Sequence, residues 1–208
     1  MTDASQADAP PALNVTNGNA LDLLATRRSN LAAQLIEPGP SDDELSQMLE
    51  IAVRVPDHGR MTPWRLQVLS KAAQVELGEL FVAEFAKTEP DAGEDRLELE
   101  RVRPKRSPVL VVVSSRTTHG NDNVPPVEQL LSGGNVCFNL LNAAVAMGYG
   151  SQWVTNWPSR NQVIKDALGI PDDEHLIGFI HIGTRKSAPQ ERQRPELPDV
   201  VSRVESLA

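Results

Sequence analysis

The sequence predicts an α+β domain, folded as a three-layer α/β sandwich with one long helix at its centre. Three observations carry this. Val109 to Ser114 reads VLVVVS, a continuous β-branched run of the kind found in a strand covered on both faces. Pro125 to Met147 is a long, mostly apolar helical stretch whose apolar residues spread over more than one face. The elements run helices, strand, helix, strand, long helix, strand, helix, strand, without the strict strand–helix alternation of a dinucleotide-binding unit. No GxGxxG follows a strand either, so a nicotinamide-binding Rossmann domain is not expected.

The elements follow in order. Ala20 to Arg28, with Leu21, Leu23 and Leu24, reads as a short helix ending in two arginines. Ser41 followed by Glu44 is a capping box, and Leu45, Met48, Leu49, Ala52 and Val53 give the helix behind it an apolar stripe. Pro56 to Pro63 is a loop. Trp64, Leu66 and Val68 alternate as in a half-buried strand. A helix follows from Ala72 to Ala86. Glu89 to Arg106 is highly charged without a clear period, and reads as a mobile excursion or a solvated helix over the site. Gly148 and Gly150 end the long helix. Gly150 to Thr155 reads as a short strand. Ser159 is the expected cap of the next helix, which stops at Gly169 and Pro171, and HLIGFIHIG from His175 is the last strand.

These readings divide the chain into a disordered, polar leader at 1–19, a domain at 20–184 and a charged, proline-containing arm at 185–208. The chain has 208 residues, of which 40% are hydrophobic, enough for one domain with a real core. Aromatics are 4%, so that core is aliphatic. A net charge of −8 argues against a nucleic-acid binder, but leaves room for a local basic pocket holding one phosphate. The single cysteine, Cys137, lies in an apolar run and reads as a buried thiol. No run of about 20 apolar residues would span a membrane, and no signal peptide is visible, so the expected compartment is the cytoplasm. No metal site is expected. Asp172, Asp173 and Glu174 read as a solvated turn.

Three segments could carry chemistry. Arg27, Arg28 and Ser29 offer two forked guanidiniums and a hydroxyl to a phosphate. The same residues also suit a solvated helix C-terminus complementing the helix dipole. Arg54, Asp57 and His58 lie at the PDHGRMTPW loop, where His58 is either a pocket-rim donor or an ordinary loop histidine. Trp153, Val154, Thr155 and Asn156 follow a glycine-rich helix end, and a strand emerging there presents backbone N–H groups to a planar ring edge.

Taken together, RRS at 27–29, RxPDHxxxxPW from Arg54 to Trp64, a long helix ending in GYG, W-x-T at 153–155 and a late strand ending in GT form one pattern. It resembles the nitroreductase family of FMN-dependent oxidoreductases, in its branch of short NAD(P)H nitroreductases, from about Leu21 to Thr184. The resemblance implies a nitroreductase-like FMN-binding fold with a central mixed or antiparallel sheet. It implies an obligate homodimer with one FMN in each of two interface pockets. Arg27, Arg28 and Ser29 would hold the phosphate and ribityl chain. Arg54 and His58 would reach the flavin of the other subunit. Trp153, Val154 and Thr155 would lie along the isoalloxazine, and Gly183, Thr184 and Arg185 would lie near the phosphate.

The implied reaction passes a hydride from NADH or NADPH to flavin N5, and then electrons to a small acceptor such as a nitroaromatic or quinone, with no side chain acting as acid or base. Same-fold flavin chemistry of another kind, a non-catalytic flavin-binding dimer and a structural dimer that has lost FMN are the alternatives. The sequence departs from the pattern twice. Asn30 to Leu35 lacks a basic residue common in relatives, and Val154 stands where the branch often has a basic side chain.

Overall fold

The computed structural model describes residues 18–117 and 123–207. Residues 1–17, nearly all of the expected leader, lie outside the described residues. Twelve regular elements follow in order: α1 (Gly18–Thr26), β1 (Leu35–Ile36), α2 (Asp42–Ala52), β2 (Trp64–Leu69), α3 (Lys71–Thr88), α4 (Glu94–Arg101), β3 (Val109–Ser115), α5 (Pro126–Ala146), β4 (Gly150–Val154), α6 (Gln162–Ala167), β5 (His175–Arg185) and α7 (Leu197–Val200). No described helix is long and apolar enough to cross a membrane.

The sheet is antiparallel at every pairing among the described residues. β5 pairs with β3, β4 and β1, and β2 pairs with the far side of β3. The β-branched run in β3 is covered on both faces, as its composition demands. Val111 and Val113 join a core with α2 and α5, through Met48, Ala52, Val136, Leu140 and Ala144. Leu110 and Val112 point the other way, into a core with α3 and α6 built on Leu77, Phe81, Ile164 and Phe179. Helices therefore cover both faces of the sheet, which makes the three layers.

The two faces of β5 do not alternate strictly. Ile177, Ile180 and Ile182 pack on the α5 side, whereas Leu176 and Phe179 pack on the other. A register shift against Val113/Ser114 explains the change of parity, because an inserted residue moves every later side chain to the opposite face. The bulge lies beside Gly178, and a Cβ there would collide with the Trp153 indole. That indole spans the bulge and donates from Nε1 to the Ile177 carbonyl at 3.1 Å.

Local signals account for most helix ends. Ser41 and Glu44 form the full capping box, and Tyr149 donates its hydroxyl to the same Glu44 at 2.9 Å. Gly148 leaves α5 at a φ of 90°. The cap of α6 differs from the expected one. Asn161, not Ser159, accepts from the Ile164 amide at 3.0 Å, and Ser159 instead bonds the Asn156 carbonyl within a 3-10 turn at Trp157–Arg160. Glu89 to Arg106 contains α4, packed against α3, and Glu100 in it is fully buried.

His181 on β5 faces the α3 layer and is buried, with Nδ1 at 2.8 Å from Ser107 Oγ. Burial first, then the charges of Arg106 and Arg103, push its imidazole down to about 4 from an ordinary 6.5. The unfolded chain therefore takes up this proton near pH 6.5, and the fold resists it until about 4. The resulting stability is complete above 6.5 and is lost as pH falls through 4, by about 3 kcal/mol. Urea unfolding between pH 7 and 4 should show a steeper loss in the parent than in His181→Gln. Parallel curves would exclude the assignment.

Candidate active site

Arg27, Arg28 and Ser29 leave the end of α1 as an irregular turn seated against two segments. On one side lies β4. The Asn30 amide donates to the Ser151 carbonyl at 3.0 Å, and the Ala32 amide donates to Gln152 Oε1 at 2.6 Å. On the other lies the chain after β5. Arg28 Nε donates to the Gln190 carbonyl at 2.9 Å, and Asn30 Nδ2 to the Ser187 carbonyl at 3.4 Å. Arg27 donates to Ser29 Oγ at 3.3 Å and lies over the Phe138 ring of α5 at 5.6 Å.

This packing gathers net positive charge around one carboxylate, Glu191, which lies 3.7 Å from Arg28 and 3.2 Å from Arg194. Burial, then Arg194, Arg28 and Arg192, hold the Arg27 guanidinium below the usual arginine range. Its Nε is buried and has no hydrogen-bond partner, and neither has Asn30 Oδ1. A buried donor without an acceptor, among like charges, is stabilised by an anion. Arg185, in contrast, turns to the Gly148 carbonyl at 3.2 Å, and Thr184 to the Pro38 carbonyl at 2.6 Å.

The second segment is the loop behind α2. Asp57 shapes it, accepting from the Met61 and Thr62 amides at 3.0 Å each. Gly59, Arg60 and Thr62 all have positive φ (69°, 54° and 48°), and at Arg60 and Thr62, which carry a Cβ, this is strain that persists when the surroundings fix it. Asp57 fixes it from within, and polar residues on α5 anchor the chain on either side of it. Asn139 donates to the Ile51 carbonyl at 2.5 Å, and Ser132 to the Pro56 carbonyl at 2.6 Å while accepting from Trp64 Nε1 at 2.9 Å. His58 Nδ1 lies 2.6 Å from Glu128 Oε2. Both side chains are about half exposed, and Arg54 is exposed nearby in the chain.

The third segment leaves β4. Trp153 is pinned at the β5 bulge, with α5 coming close at Gly134. Val154 is half-buried, Thr155 is exposed, and Asn156 adopts a φ of 58°. Its successor Trp157 is held firmly. Its ring packs near Phe81 (5.5 Å) and Phe85 (5.9 Å), and Nε1 donates to the buried Glu100 at 3.1 Å. Open grooves lie on either side of this segment. One includes Leu131, Gly134, Phe138 and Trp153, and the other Gln152, Thr155, Asn156 and Arg160.

A basic turn, a strained loop on a long central helix and a tryptophan-led strand end thus frame α5. The nitroreductase family model matches residues 25–184, which span all three. The chain belongs to the nitroreductase family. Among curated relatives, this nitroreductase is 32% identical to YdjA of Escherichia coli K12, over 80% of its own length and 88% of the relative's, and 31% identical to a Haemophilus influenzae homologue over the same shares. Both names place those proteins among the NAD(P)H nitroreductases. The nitroreductase fold is also that of a Bacillus cereus nitroreductase-like structure, with a TM-score of 0.78 at 19% identity, covering 92% of this chain and 99% of that one. CinD of Lactococcus lactis superposes with a TM-score of 0.69 at 17% identity, covering 89% and 99%. CinD was solved in complex with nicotinic acid, and also with chloramphenicol. The protein is an oxidoreductase of the NAD(P)H nitroreductase type.

Within this nitroreductase chain, the residues that the sequence singles out fall into two groups. Arg27 and Trp153 share the α5 surface around Phe138 and Gly134. His58 lies against Glu128, ten residues earlier on the same helix and therefore about 15 Å away along its axis. The sequence reading missed Arg192 and Arg194. A charged tail carries no periodicity that points at a turn far earlier in the chain. The signal was the pair of basic residues just before Pro195.

Proposed function

We propose that this nitroreductase binds FMN on the Arg27 turn and uses it to pass electrons from NADH or NADPH to a small acceptor such as a nitroaromatic or quinone. The observation that carries this reading is the net positive cluster of Arg27, Arg28, Arg192 and Arg194, four guanidiniums around the Glu191 carboxylate, with the buried, unpartnered Arg27 Nε. A phosphate monoester fits that donor set, since guanidinium forks match phosphate oxygens. Arg192 and Arg194 would supply the charge that Asn30 to Leu35 lacks. FMN held there would supply the two-electron redox chemistry that links the nicotinamide donor to the acceptor.

The chain's own residues bind and orient. Trp153, Val154 and Thr155 would border the ring, with Trp153 fixed by its bond across the bulge. The exposed Thr155 and Asn156 backbone would offer N–H donors to the ring edge. The ligands of CinD support a pocket that takes small aromatic molecules.

The proposal extends to a homodimer. Val127, Leu131 and Phe138 lie exposed along α5, and Leu21 and Leu24 along α1. An exposed apolar surface of this extent marks an interface. A second subunit covering it would carry Arg54 and His58 toward the partner's flavin and exclude water from the ring.

The purified protein is expected to be yellow or to take up FMN, and to bind riboflavin far more weakly. Arg27→Ala should weaken FMN binding by about tenfold to a hundredfold, the worth of one charge-assisted hydrogen bond. Flavin fluorescence titration reads both. Equal affinity for FMN and riboflavin would remove the phosphate role.

A further inference from the structure

We propose that the groove running from Thr155 to His175 is a phosphate-recognising subsite for the nicotinamide dinucleotide, read by Arg160 with Lys165 beneath it. This rests on the flavin reading, because the groove opens off the segment assigned to the ring. Ser159, Arg160, Gln162, Lys165, Glu174 and His175 line it, around about 390 Å³.

Its charge is unbalanced. Lys165 is only 8% exposed, and its ammonium donates to neutral acceptors, Gln162 Oε1 at 3.3 Å and the Asp172 carbonyl at 3.2 Å. Buried cations normally meet a carboxylate. Glu174, the carboxylate of the groove, is held by Arg65 at 3.2 Å, with the Ser114 hydroxyl at 3.4 Å. Arg160 is exposed and makes no ion pair among the described residues. It also lines the adjoining groove at Asn156 and Trp157, so it stands where the two grooves meet. On a chain of net charge −8, Arg160 and Lys165 outnumber the groove's carboxylate Glu174, which Arg65 already pairs, and so invert the local field. A donor whose nicotinamide stacks over the ring must lay its pyrophosphate outward from that ring. This groove is the cationic exit on the Thr155 side. An anionic acceptor would exploit the same charges, and the experiment separates the two sources.

The test is calorimetric titration of ADP-ribose, which keeps the pyrophosphate and lacks the nicotinamide, into the purified dimer, with adenosine and benzoate as probes lacking phosphate. Arg160→Ala should weaken ADP-ribose binding about tenfold, Arg160→Glu further, and Arg160→Lys should restore most of the affinity. In turnover, the NADH KM should rise with kcat retained. Unchanged ADP-ribose affinity in Arg160→Glu would overturn the proposal, as would an equal loss for adenosine. A loss for benzoate alone would assign the groove to the acceptor and also overturn it. Flavin absorbance on the same samples keeps the two readings apart. Yellow protein with an indifferent Arg160 sinks the subsite, and colourless protein with Arg160-dependent ADP-ribose binding sinks the flavin.

Discussion

Glu100→Ala is expected to destabilise the fold by about 3–5 kcal/mol, the usual loss when one partner of a buried ion pair is removed. The carboxylate is fully buried and accepts from three donors: Arg96 at 2.6 Å, Arg103 at 2.8 Å and Trp157 Nε1 at 3.1 Å. Arg96 is 44% exposed at its side chain and can recover water, and it also stacks on Phe85 at 4.4 Å. Arg103 is 13% exposed and recovers much less. The Trp157 indole would be left facing a void. Glu100→Gln keeps an acceptor for Trp157 and loses the charge facing two guanidiniums, so its loss should be smaller. Chemical denaturation measures both. A loss below about 1 kcal/mol in Glu100→Ala would show that the carboxylate is not the anchor. The same variant should loosen the Asn156 turn, because Trp157 holds its far end. A drop in FMN affinity larger than that of Glu100→Gln would carry the effect to the proposed site.

Glu100 also shows where the sequence stops being legible. Its segment has no apolar period, since the helix packs through one buried carboxylate and an Arg96 guanidinium stacked on Phe85 in place of a stripe. Charge periodicity does not reveal which carboxylate a distant tryptophan will select. The capping box at Ser41 and the strand at Val109 were readable because their causes are local: a side chain three residues from an amide, and a run of β-branched residues. β1 has two residues, too few for a period, and exists because β5 offers it a partner. The Asn161 cap lost to Ser159 in the sequence because both residue types cap equally well. Pro158 sits in a 3-10 turn that takes up Ser159. For the site, RRS, PDH and W-x-T were visible as motifs. The tail arginines depend on a long-range fold-back that brings Gln190 onto Arg28.

The separation of His58 from Arg27 along α5 leads to the sharpest functional expectation, a trans pocket. Consider two double variants, Arg27→Ala/Ser29→Ala and Arg54→Ala/His58→Ala, each impaired in FMN binding as a homodimer. If the loop serves the partner's flavin, a heterodimer places both defects on one pocket. The first variant's turn then meets the second variant's damaged loop. The other pocket joins an intact turn to an intact loop, so half of the heterodimer sites should regain parental FMN affinity and turnover. If the loop serves its own subunit, every heterodimer pocket carries one defect and nothing is regained. Co-expression with two different tags provides the heterodimer, because subunits of the proposed dimer, joined through so apolar a helix face, would not be expected to exchange on mixing. Flavin stoichiometry in the doubly purified material reads the outcome: about one tight FMN per dimer for a trans loop, and none for a cis loop. The His58–Glu128 contact sets the geometry of the result. It anchors the imidazole at the first turn of α5, where it can project across an interface but lies about three turns from its own Arg27 platform.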